Sequence, residues 1–204
     1  MKFFKYSIFS VLAFALFAVI ACEKVQSPLP DFETALTAEG ILGAAPNNAF
    51  AVATPATPVN YKWGWKSIDN KNTVSKVEFF VTMTESYVDK DGNSRVANHG
   101  TKAWKVIDGS AAGANHKYID GTITQAEVYN LFQAATFDYG KGGGKVSVWS
   151  QNGRTATARF TTKDTFIITW HITAADGRKF TEWSVGLCDR TTVGSNCDIT
   201  FGAK

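Results

Sequence analysis

The side chains that could do chemistry in this 204-residue chain stand mostly apart from one another. His99, His116 and His171 are scattered, without the close spacing that lets histidines converge on a metal, and there is no G-x-S-x-G elbow. Asp120, Glu127 and Asp138 are acids a hydrolase could use, but they form no recognisable catalytic pair. The run Tyr139–Ser147, YGKGGGKVS, imitates a phosphate loop, yet Val146 follows Gly144-Lys145 where Ser or Thr is needed, and the run leads into a strand rather than a helix. It reads as a loop. Asp89, Asp91 and Asn93 imitate the start of a calcium-binding EF-hand loop, whose twelfth position would be Gly100 instead of a bidentate Glu. A turn is the better account, with a weak surface calcium site as the alternative. Tyr61, Trp63 and Trp65 alternate in YKWGW, so on an extended strand they share one face. That face either packs in a core or forms a flat platform for a glycan or a partner.

The N-terminus is more specific. Lys2 and Lys5 precede an apolar run from Ile8 to Ile20. As a helix this run would span about 20 Å, short of the roughly 30 Å hydrocarbon core of a bilayer. It therefore reads as an export signal over residues 1–21 rather than a permanent span. The run ends in Val19-Ile20-Ala21-Cys22, which resembles the lipobox of bacterial lipoproteins. The resemblance implies cleavage before Cys22, a diacylglyceryl group on its thiol and an acylated amine carrying chains such as palmitate. Several chains anchor a protein firmly, since each buried methylene contributes about 0.8 kcal/mol. The alternative is an ordinary secretory signal with an incidental cysteine.

Removing residues 1–21 takes away two lysines and no acid, so the formal charge of +3 falls to +1. With no basic stripe, nucleic acid is not an expected partner. Cys188 and Cys197 remain as an even pair in an oxidising compartment, and a disulfide between them is expected. Closing a loop of about ten residues stabilises by roughly 2.5 kcal/mol under the chain-entropy model. A zinc site is the poorer reading because no histidine lies near them.

The elements that must position these residues are largely strands. All five prolines fall between Pro28 and Pro58, so residues 22–58 read as a lipidated Pro/Ala-rich tether and 59–204 as the folded domain. Two stretches of the tether, FETALTAEGILGAA and AFAVA, are too apolar to prefer water, which leaves open whether they pack on this domain or on a partner. Strands are expected over Val74–Val88, Lys102–Ile107, Lys145–Ser150, Arg154–Thr161, Thr165–Thr173, Lys179–Leu187 and Cys197–Phe201. Asn152-Gly153 and Asp176-Gly177 suit hairpin turns, making the C-terminal half an antiparallel meander. Trp104, Trp149, Trp170 and Trp183 fall singly within this pattern, where packing is the default role. Thr124 and Glu127 form a capping-box pattern ahead of Val128, Leu131, Phe132 and Ala135, which share one helical face. Strands at this spacing with one short helix predict an all-β, immunoglobulin-like antiparallel sandwich, the helix covering an edge or an end.

The segments VEFFVTMTESYVDKDGNSRVANHG, ITQAEVYNLFQAATFDY and DTFIITWHITAADGRKFTEWSVGLCDRTTVGSNCDITF, between Val77 and Phe201, resemble accessory lipoproteins of Bacteroidota nutrient-uptake loci of the starch-utilisation-system type, SusE-like in a broad sense. The resemblance implies an outer-membrane lipoprotein with immunoglobulin-like modules, not an enzyme, working as a binding or scaffold subunit beside a TonB-dependent transporter and its SusD-like lid (a SusCD complex), with a glycan or peptide as ligand. Surface-displayed members carry an acidic cluster directly after the lipidated cysteine. Here Glu23, Lys24, Val25 and Gln26 follow Cys22, which leaves open the cell-surface and periplasmic faces of the outer membrane. A surface hydrolase and a purely structural envelope lipoprotein are the competing functions.

Overall fold

Two long strands with strict alternation organise the fold. The computed structural model describes residues 35–67, 69–181 and 197–204; Cys22, Cys188, Trp183 and the signal segment lie outside them. Strand β3, Val74–Val88, and strand β8, Asp164–Ala174, pair antiparallel so that Val77 meets Ile172, Phe79 meets Trp170, Val81 meets Ile168 and Met83 meets Phe166. Every one of these residues is buried. Period-two alternation of β-branched and aromatic residues lays one apolar column per strand against the core and leaves the polar residues between them outside.

Around this pair the strands fall into two main antiparallel sheets. One contains β1 (Leu36–Leu42), β2 (Val59–Ser67) and β5 (Tyr118–Ile123) in the order β1-β2-β5. The other runs β10-β8-β3-β4, with β4 spanning Ser94–Asp108 and β10 spanning Ile199–Gly202, and a short β9, Lys179–Phe180, also pairing β8. This is the strand arrangement of an immunoglobulin-like sandwich, A-B-E against G-F-C-C′. The sheets meet through Trp63, whose ring lies edge-on to Phe79 at 5.5 Å and to Trp170 at 6.2 Å.

The folded domain begins well before residue 59, so the expected tether boundary there does not hold. Leu36 and Ala38 on β1 are buried, and β1 pairs with β2 along its whole length. Phe50 is also buried, among Phe160, Phe166 and Phe201, and its N–H and C=O bond Gly202 and Lys204 beside β10. From Ala35 onward, the apolar stretches of the sequence are thus part of this domain.

The C-terminal half is not a continuous meander. A small separate hairpin joins β6 (Thr136–Asp138) to β7 (Lys145–Ser147), and residues 148–150 form a 3₁₀ turn instead of extending β7. Asn152 and Gly153 do adopt the paired positive φ values of a tight turn, 55° and 76°, but the expected strand over Arg154–Thr161 is irregular chain. Side-chain demand explains the difference: Asn152 and Arg154 turn inward to charged partners, which a regular ladder would not allow. The Asp176-Gly177 turn, by contrast, closes β8 onto β9 as expected.

Helix α1, Gln125–Phe132, starts at the predicted capping box. The Glu127 N–H donates to Thr124 Oγ1 at 3.2 Å and the Thr124 N–H donates to Glu127 Oε2 at 2.8 Å. Val128 and Phe132 are buried, and the helix lies against β4, the edge strand of the larger sheet. Thr124→Ala is expected to cost about 1 kcal/mol of stability, measured by chemical denaturation, because it strips one half of the reciprocal cap.

Candidate functional site

The structure separates the residues singled out from the sequence. Tyr61, Trp63 and Trp65 do share a face, but it is the inner one: they are 3%, 0% and 5% exposed. They form no binding platform, because β2 is the middle strand of its sheet and its alternation turns the rings toward the opposite sheet. Gly121, across from Tyr61, makes room for the ring; a Cβ there would lie 2.3 Å from it. Tyr61 reaches the rim of the core, where its hydroxyl accepts a 2.6 Å hydrogen bond from Lys105 Nζ. Burial raises the Tyr61 phenol well above its usual range and lowers the Lys105 amine.

The DKDGN segment is the β3–β4 turn. Asp89 Oδ1 accepts the backbone N–H groups of Asp91 and Asn93, each at 2.9 Å, and Oδ2 accepts Arg95 Nε at 3.0 Å. The oxygens a calcium ion would need are thus already aimed at N–H donors. The other acids are dispersed: Asp120 faces Lys62 on β2, Glu127 serves the helix cap and Trp104 Nε1, and Asp138 accepts the Gly140 N–H. His171 packs against Phe80, and His116 sits in a turn with its N–H on the Trp65 carbonyl. Cys197 is disulfide-bonded.

A charged cluster that no sequence motif marks closes one end of the sandwich. The inward column of β3 and β8 continues past Met83 and Phe166 to a facing pair of carboxylates, Glu85 and Asp164. Arg154 lies between them, giving Asp164 a fork of two bonds at 2.6 and 2.7 Å and bonding Glu85 with Nη2. Glu85 also accepts from the Tyr139 hydroxyl, from Asn152 Nδ2 at 2.9 Å and from His99 Nε2 at 3.1 Å. An irregularity in the β3–β4 register sets His99 and Gly100 together opposite Met83, which brings the imidazole to the carboxylate. The side chains of Glu85, Arg154, Asp164 and His99 are all 0% exposed.

Burial pushes the Glu85 carboxyl up, but the donors from His99, Tyr139, Arg154 and Asn152 together outweigh it and hold the group at about 2. Burial pushes Asp164 up against the pull of Arg154, and it pushes Tyr139 up as well, helped by its bond to Glu85. Such an arrangement pins Tyr139 and the irregular chain between residues 151 and 163 to the sheets. The carboxylates and the guanidinium neutralise one another, while His99 Nδ1 and Arg154 Nε are buried without a hydrogen-bond partner among the described residues.

The open feature lies next to this pin. A cleft of about 380 Å³ is bounded by α1 and by segments 55–56 and 156–160, with Tyr129, Arg159 and Phe160 on its walls. The Arg159 guanidinium lies 3.8 Å from the centre of the Tyr129 ring, which in turn packs edge-on to Trp149 at 4.9 Å. The signal for Glu85 and Asp164 was present in the sequence, since both fall in phase with apolar columns. No local signal marks the cleft, whose walls come from three separate stretches. No protein-family model matches this chain, and neither does any curated protein sequence.

Proposed function

We propose that this chain is a lipid-anchored, non-catalytic binding or scaffold subunit that works beside a TonB-dependent transporter and its SusD-like lid at the outer membrane. The observation that carries the reading is where its reactive and aromatic side chains have gone. The ionisable cluster is buried with its charges facing one another, the tryptophan face of β2 is core, and a concave cleft beside α1 stays open. An immunoglobulin-like sandwich of this kind is a spacer and a display scaffold, suited to holding a surface at a fixed place near a membrane. The Val19–Cys22 lipobox and the export signal ahead of it supply the anchor.

Cys22→Ala tests the anchorage. The variant is expected to leave the membrane fraction and appear soluble, whereas the wild-type protein sediments with outer membranes. A variant that stays membrane-bound, or a wild-type protein found soluble, overturns the reading.

A further inference from the structure

We infer that the cleft beside α1 binds a carboxylate carried on an apolar body, with Arg159 as its anchor. The inference deepens the binding-subunit reading and rests on it for its biological sense.

Arg159 is exposed, yet it is held in place on three sides. Its guanidinium is stacked on Tyr129, and the Tyr129 ring is braced by Trp149, which donates through Nε1 to the Phe132 carbonyl at 2.8 Å. Its backbone carbonyl accepts Arg154 Nη1 at 2.7 Å, which ties it to the buried charge cluster. Its neighbour Phe160 is locked in the core against Trp149, Phe50 and Phe166. The opposite wall is fixed as well, since Gln125 Nε2 donates to the Ala51 carbonyl at 2.8 Å.

Among the described residues no acid pairs with Arg159. With its central carbon 3.8 Å over the Tyr129 ring and no acid on it, the Arg159 guanidinium keeps N–H donors available, and the edge of a guanidinium matches the two oxygens of a carboxylate as a fork. Pro55, Ala56, Ala126 and Ala156 supply apolar surface beside it. The volume lies within the range of small-molecule sites and suits a group of about dipeptide size. A neutral sugar would leave the cation without a counter-charge, so the chemistry favours an acid: the C-terminus of a short peptide or a free organic acid.

Titration calorimetry on the full-length protein in mild detergent tests this with two acids, N-acetyl-alanyl-phenylalanine and 3-phenylpropionate, each beside its primary amide. At least one acid is expected to bind about tenfold or more tightly than its amide, the factor that loss of a charge-assisted fork produces. Binding of the peptide acid alone identifies a peptide C-terminus as the source, and binding of both identifies the carboxylate itself. In Arg159→Ala the preference for acid over amide disappears while the thermal midpoint falls by no more than about 4 °C, because only an exposed contact with Tyr129 is lost. The inference is overturned if acid and amide bind alike, if neither acid binds at millimolar concentration, or if Arg159→Ala retains the preference. Failure here with Cys22-dependent membrane attachment intact removes the ligand class alone. Acid binding by a protein that does not need Cys22 for attachment removes the anchored-subunit reading instead.

Discussion

Arg154→Met lowers the unfolding free energy by about 3 to 5 kcal/mol, the expected cost of leaving buried carboxylates without their cation. The substitution keeps most of the side-chain volume while removing the guanidinium that bonds both carboxylates and lies 5.4 Å from the centre of the Trp149 ring, so the loss reports mainly charge rather than a cavity. Glu85 and Asp164 face each other across β3 and β8, and without the guanidinium two buried acids share one site. Denaturant midpoints for the wild type and the variant measure the effect. A difference below about 1 kcal/mol would place the pair in the class of exposed ion pairs and contradict the sealed cluster.

The same cluster sets a pH window. The Glu85 carboxyl is held at about 2 from an ordinary 4.5, so its folded form binds a proton less readily than the unfolded chain does. A carboxylate depressed in this way stabilises the fold fully above its unfolded value, and the contribution disappears as pH falls from about 4.5 through about 2. Glu85→Gln removes that titration while keeping the side chain's shape. The stability gap between the wild type and Glu85→Gln is therefore widest near neutral pH and closes across that acid range. A gap that is flat with pH would show that the carboxylate is not held ionised by its neighbours.

Trp63→Ala should be comparably severe, at about 3 to 5 kcal/mol, because the ring sits at 0% exposure between the two sheets and touches both Phe79 and Trp170. The cavity cannot close easily, since β2 is held on both sides by β1 and β5. Unfolding measurements separate this from a binding role. A platform tryptophan would lose ligand affinity and leave stability nearly unchanged.

Much of the sandwich was legible in residue order alone. The apolar columns of β3 and β8 follow a clean period of two, the Thr124–Glu127 cap marks the helix start, and Asp176-Gly177 marks a true hairpin. Strand β1 was hidden for a packing reason. Its inward positions include Ala38 and Gly40, which pair with Trp65 and Trp63 on β2, and a Cβ on Gly40 would come within 2.4 Å of Ile199 and 2.9 Å of the Trp170 ring. Small residues among prolines read as linker, although here they are the complement of large rings.

The segment from Val148 to Thr161 misled for a different reason. Its β-branched and aromatic residues resemble a strand, but Arg154 must point inward to meet two carboxylates that lie 69 and 10 positions away in sequence. Long-range charge pairing overrode local propensity there. Glu85 and Asp164 could have been suspected, because each occupies an inward position of an otherwise apolar column. Their cation could not, since irregular chain carries no periodicity that would say which way a side chain turns.

The most direct measurement of the central claim is to extract the wild-type protein from the membranes of its host cell in mild detergent, isolate it through a C-terminal tag and identify what comes with it. An anchored accessory subunit brings a TonB-dependent β-barrel transporter and its lid in fixed proportion. Recovery of the protein alone, with transporter present in the same extract, would contradict it.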